Sequence, residues 1–178
     1  EFLIFGSYPA VIEAKNREEK MQILTKIADS YLFRDIVELE RVSDSKILLD
    51  LLRLIAFQVG NEVSLTELGS NLGIDRKTAA RYLWLFEQSF VLYNLRGYSR
   101  NLRKEITKKS KYYFYDNGIR NAVINNFNDL KTRDDAGPLW ENFLVIERLK
   151  QQEYTHMGFK NNNYFWRTWD KKEVDWLL

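Results

Sequence analysis

Arg76, Lys77 and Arg81 fall within one short stretch of helical periodicity, and a second set of cations follows between Arg96 and Lys111. The chemistry open to such residues is the holding of phosphate. Each cation that neutralises a phosphate releases condensed counterions, so binding of this kind weakens steeply as salt rises. From Arg96 to Lys111, seven Lys/Arg (Arg96, Arg100, Arg103, Lys104, Lys108, Lys109 and Lys111) stand against one acid, Glu105, a local charge of +6 where the whole chain carries +2. That asymmetry sets the field a polyanion would meet. Other chemistries are thinly supplied. His156 is the only histidine, which removes His-based metal clusters and leaves no ordinary Ser-His-Asp arrangement. Zero cysteines remove thiolate zinc sites, disulfides and a cysteine nucleophile.

The elements that would position the cations can be read locally. Ser64 and Glu67 form an S-x-x-E capping box, so a helix should open at Leu65. Gly73 can take the left-handed conformation that ends it near Leu72. Asp75 then caps a second helix, whose buried stripe is Ala79, Tyr82, Leu83 and Phe86 and whose other side carries Arg76, Lys77 and Arg81. A short helix, a glycine turn and a basic second helix is the arrangement that enters a DNA major groove. Phe90–Leu95 and Lys111–Asp116 read as the two strands of a wing, with the basic run between them. The aromatics Tyr112, Tyr113, Phe114 and Tyr115 could stack bases, but alternation in a strand puts half of them in the core, and core is the reading taken.

Around this centre, Phe2–Phe5 reads as a short strand or the tail of an apolar segment, Arg17–Glu40 as a long helix, and a helix capped by Asp44 or Ser45 is striped by Ile47, Leu48, Leu51, Leu52, Ile55 and Val59 up to Gly60. A short helix follows Asp116, residues 125–137 form a polar linker, and Pro138 opens a helix running to about Gln152. Two strands, Tyr164–Thr168 and Glu173–Leu178, close the chain, with Trp140, Trp166, Trp169 and Trp176 expected as the seam between that helix and the hairpin. Glu173 and Asp175, two apart on one strand, point to one face. The fold class is α+β and mainly helical. The 178 residues, 45% hydrophobic and 29% charged, can bury a sizeable core. No apolar run approaches the ~20 residues that span a membrane, the start has no signal-peptide pattern, and the lack of cysteine fits a cytoplasmic protein. The opening at Glu1, without an initiator methionine, reads as a piece of something longer.

The runs YLFRDI (31–36), YSRNLRKEI (98–106), KYYFYDNGIRNAVI (111–124), LWENFLVIERLK (139–150), YFWRT (164–168) and EVDWLL (173–178), with the helix-turn-helix, resemble the C-terminal portion of a family of prokaryotic AAA-type ATPases, a portion catalogued as a domain of unknown function. The resemblance covers nearly the whole chain. It implies a preceding P-loop ATPase module that binds ATP and Mg²⁺, then a winged helix, then a restriction-endonuclease-like domain of the PD-(D/E)XK type. This chain carries no G-x-x-x-x-G-K-[ST] loop, so no nucleotide cofactor is expected in it. By the resemblance, Glu141 matches the helix glutamate of the nuclease-like fold and Asp175 the aspartate of its second strand, so the two are candidate Mg²⁺ ligands. The Glu-x-Lys strand falls beyond Leu178, so the chain as it stands should not be a nuclease. Arg34, in the YLFRDI element, could serve as an arginine finger; a structural ion pair with Asp35 is the reading taken.

The domain reading is a linker strand and helix over 1–42, a winged helix over 43–126, a linker over 127–137, and the start of the nuclease-like αββ unit over 138–178. The expected function is the DNA-binding region of a larger ATPase. Arg76, Lys77 and Arg81 would lie in the groove, and Arg100, Arg103, Lys104, Lys108 and Lys109 on phosphates. The partners expected are double-stranded DNA and the chain's own ATPase module. The alternatives are a winged helix that couples the ATPase to its C-terminal domain, and a metal-dependent nuclease in the full-length protein.

Overall fold

Phe2–Phe5 (α1) is a helical turn, not the strand expected for it. Four apolar residues carry no period that separates a strand from a buried helix. Packing decides instead: Asn121 Nδ2 donates to the carbonyls of Leu3 (3.1 Å) and Ile4 (2.9 Å), and Ile4 and Phe5 are buried. The computed structural model describes residues 1–40, 45–98, 110–155, 163–167 and 173–177; the side chains of 30–40 and of Glu173 lie outside that description. The side chains of Arg34 and Asp35, and His156 and Trp169 altogether, therefore fall outside it.

Pro9–Ile12 (α2) has its proline at the first helical position, where the missing N–H costs nothing. Arg17–Glu40 (α3) has the bounds its periodicity implies and buries Leu24 and Ala28. Ser45–Phe57 (α4) buries Leu48, Leu51, Leu52 and Ile55 completely, the stripe read from its sequence. After the short strand Glu62–Val63 (β1) comes Leu65–Leu72 (α5). Ser64 Oγ accepts the Glu67 amide at 3.4 Å, and Gly73 ends the helix at φ 67°. Asp75 opens Arg76–Gln88 (α6), accepting the amides of Lys77 at 2.7 Å and Thr78 at 3.0 Å. Local chemistry alone sets this helix–turn–helix.

Leu92–Gly97 (β2) and Ser110–Phe114 (β3) pair antiparallel, from Leu92↔Phe114 to Arg96↔Ser110. Phe90 is not strand, because its φ of 53° turns the chain between α6 and β2. Asn117–Val123 (α7) follows, capped by Asp116, whose Oδ1 accepts the Ile119 amide at 3.1 Å. Gly118 permits the close approach of α1, since a Cβ there would lie 2.3 Å from the Phe5 carbonyl oxygen. A 3₁₀ turn (Leu130–Thr132) leads to Ala136–Thr155 (α8), which holds Pro138 in its first turn. Tyr164–Arg167 (β4) and Glu173–Leu177 (β5) end the described chain.

The five strands form one mixed sheet in the order β1-β3-β2-β4-β5. β4 lies parallel to β2 (Arg96↔Tyr164, Gly97↔Phe165), so the last hairpin extends the sheet of the helix-turn-helix region and no break in the sheet follows residue 126. Tyr112, Tyr113 and Phe114 are all buried, against the expected half. Alternation fails here because β3 is covered on both faces. Toward α6, Asn94 Nδ2 donates to Glu87 Oε1 (3.0 Å) and to Tyr112 Oη (3.4 Å). Toward α8, Tyr113 meets Glu141. Where β1 stops, Asn142 of α8 takes the place of a neighbouring strand: its Oδ1 accepts the Phe114 amide at 2.7 Å and its Nδ2 donates to the Phe114 carbonyl at 2.9 Å.

The polar stretch 125–137 is pinned rather than slack. Arg133 donates to the Asn126 carbonyl, to Asn121 and to both oxygens of Asp135. Asp135 also accepts from Arg120, a side chain 1% exposed whose Nε donates to the Ala56 carbonyl at 2.8 Å. Polar composition suggested a linker, but paired charges can be buried when every donor is satisfied. The tryptophan seam does not form as expected: Trp176 packs on Tyr93, while Trp140 and Trp166 are exposed. No helix among the described residues is long and apolar enough to cross a membrane.

Candidate functional site

The capped α6 presents the first candidate surface. Ala79, Tyr82, Leu83, Leu85 and Phe86 are buried against the core, Lys77 and Arg81 are exposed on the other side, and Arg76 is exposed at the start of the helix. At ~100° per residue, Lys77, Arg81, Trp84 and Gln88 lie within an arc of about 60°, and Arg76 sits roughly 100° to one side of Lys77. The helix therefore carries one narrow outward stripe with a flanking cation. The hydroxyl of Thr78, then the amides of Thr78 and Lys77, hold the Asp75 carboxyl below its ordinary range, so the cap stays ionised in mildly acidic solution. At the other end of α6, burial pushes the Glu87 carboxyl up, against the bond from Asn94 that lowers it. Arg100, Arg103, Lys104, Lys108 and Lys109 lie outside the described residues. The strands that flank them pair at Arg96↔Ser110, with Arg96 exposed.

Lys111, the last cation of the basic run, does not belong to a phosphate-holding surface. It is 3% exposed. Its Nζ stands 3.0 Å from Asp175 Oδ1 and 3.3 Å from Glu141 Oε1, and lies 5.4 Å from the Phe165 ring centroid. Tyr113, two residues on and on the same face of β3, donates its hydroxyl to Glu141 Oε1 at 2.7 Å. The two acids that the resemblance singled out, from α8 and β5, are thus brought together, but around a lysine from β3. The i, i+2 spacing of Lys111 and Tyr113 was legible as a shared face. Nothing local announced that α8 and β5 would meet it, 30 and 64 positions away.

Beside this cluster opens a cleft of about 510 Å³ lined by Gly137, Trp140, Leu144, Val145, Arg148 and Trp176 together with the two acids. Carboxylates of this kind are the hard-oxygen ligands a divalent metal takes. In this arrangement the Lys111 ammonium stands within hydrogen-bond distance of one oxygen of each. Among the described residues no group of three or more metal-ligating side chains is assembled. Among the described side chains the two acids and Lys111 form an ion triad.

Fold and sites together define an α+β chain in which a helix-turn-helix with a basic outer helix is built onto a mixed sheet. The chain belongs to the family described as Domain of unknown function (DUF8612), which matches residues 1–130. It is 28% identical to an uncharacterized protein of Haemophilus influenzae over 99% of this chain, and 26% identical over its full length to an uncharacterized protein of Methanocaldococcus jannaschii. An uncharacterized protein of Mycobacterium tuberculosis is 25% identical over 96% of the chain. The chain spans only 42%, 38% and 38% of the lengths of these relatives, which are all longer proteins. No solved structure matches.

Proposed function

We propose that this chain is the nucleic-acid-binding region of a larger ATPase, DNA being the polymer bound, with α4, α5, α6 and the β1-β3-β2 sheet acting as a winged helix. The observation that carries the reading is the outward side of α6. A doubly capped helix-turn-helix offers Arg76, Lys77 and Arg81 to solvent while its apolar stripe is spent on the core. A helix fixed at its N-terminus by Asp75 holds these side chains on a rigid element, which is what phosphate and groove contacts need. The strand order β1-β3-β2, with the hairpin following the second helix, supports the winged-helix reading. The ATPase parent rests on the sequence resemblance, and the greater length of the relatives leaves room for such a module.

Reversing the three charges (Arg76→Glu, Lys77→Glu, Arg81→Glu) should abolish retention of a DNA duplex in a low-salt gel-shift assay. Unchanged retention would remove α6 as the contact surface.

A second reading is favoured by one observation. Lys111 fastens the hairpin strand β3 to both α8 and β5, so the helix-turn-helix region and the C-terminal elements would move as one body, as a coupling role needs. In that coupling role the basic side of α6 would be covered by a neighbouring module, and no salt-dependent nucleic-acid binding would be measured.

A further inference from the structure

Trp84 continues the outward stripe of α6 about one turn beyond Arg81, with Lys77 and Arg81 on its N-terminal side, and is 51% exposed. Phosphate contact gives no reason for an indole there. It offers a single N–H donor and a large flat face, and leaving that face in water forgoes the burial that aromatic side chains normally gain. In an intact duplex the faces of the bases are covered by their neighbours, so a helix in the groove meets base edges and phosphates only. An indole face is matched by the face of an unpaired base. Cations tracking a backbone, with an aromatic platform beside them, are the recurring means of holding a single strand.

We infer that Trp84 is a base-stacking platform and that the preferred ligand is nucleic acid with unpaired bases beside the strand that Lys77 and Arg81 grip. This rests on the reading of α6 as the nucleic-acid face and sharpens it from duplex to single-stranded or overhanging substrate. The cations that precede it on the same stripe favour a nucleic-acid occupant over an apolar protein surface, which would have to desolvate them.

The test is fluorescence anisotropy on the full chain with three labelled oligonucleotides: a single strand, a blunt duplex and a duplex with a single-stranded overhang. Wild type, Trp84→Ala, Trp84→Phe and Arg81→Gln are compared over a salt series. Trp84 is half in solvent, so its replacement should leave the far-UV circular dichroism unchanged, and Trp84→Phe keeps an aromatic face. Wild type should bind the single strand and the overhang more tightly than the blunt duplex. Trp84→Ala should lose roughly 5- to 150-fold on those two ligands, the range that loss of one stacked base gives. Its salt slope should not change. Trp84→Phe should recover most of the loss, whereas Arg81→Gln should lower the slope. Equal affinity of Trp84→Ala and wild type on all three ligands, or an equal loss on the blunt duplex, would overturn the stacking role and leave the cationic surface standing. Absence of binding by wild type to any ligand at low salt would overturn both.

Discussion

Lys111 and Asp175, 64 positions apart, face each other at 3.0 Å, and the lysine is the buried member of the pair. With Glu141 and the Tyr113 hydroxyl this contact ties together the hairpin strand β3, the helix α8 and the edge strand β5. A buried ammonium is tolerated only with partners. Among the described side chains Lys111 faces two carboxylates.

Replacing Lys111 by Met should therefore loosen the α8–β5 side of the sheet. Asp175 is largely solvated, so the stranded carboxylates can recover water, and the cost should be that of hydrogen bonds to a charged group, about 1.5–3 kcal/mol. Urea unfolding of Lys111→Met, Asp175→Asn and the double variant checks it. The cycle should show coupling of the two residues, and additivity would mean that the contact contributes nothing.

Asp135 gives a prediction with a definite pH window. The bonds from Arg133, opposed by burial and helped by Arg120, bring its carboxyl down to about 2. A depressed carboxyl contributes stability that is present above its unfolded value near 4 and is lost as pH falls through the folded value. Wild type should thus lose stability steadily from about pH 4 to pH 2, and Asp135→Asn should lose less over that interval. The variant should also be less stable at neutral pH by about 3–5 kcal/mol, since two buried guanidinium groups lose their carboxylate. Thermal melts over a pH series would read both effects; parallel curves for the two proteins would contradict the assignment.

The parts legible in the sequence were those set within a few residues. Ser64 with Glu67, Gly73 and Asp75 gave α5 and α6, and their exposed cations followed from the period. Arg17–Glu40 and the stripe of α4 followed in the same way, because a long period averages over single residues. Phe2–Phe5 was too short for that, and its helix is decided by Asn121, more than a hundred residues later. Lys111 was misplaced for a related reason. A lysine at the end of a basic run reads as solvated charge, and only the arrival of α8 and β5 turns it into a buried one. The resemblance did pick out Glu141 and Asp175 as neighbours, but it could not show that a lysine stands between them. Trp140 and Trp166 went astray because tryptophan composition suggests a core without saying which faces meet.

The most direct test of the nucleic-acid account is the salt dependence of binding. Dissociation constants for wild type and for the neutral triple variant Arg76→Gln, Lys77→Gln, Arg81→Gln should be measured on one oligonucleotide over a range of salt concentrations. Each lost phosphate contact lowers the slope of log affinity against log salt by about 0.9 on a duplex and about 0.7 on a single strand. The variant should then bind more weakly, with a slope smaller by roughly 2 to 3. Identical slopes in the two proteins, or no salt-dependent binding in wild type, would contradict a phosphate-holding role for α6.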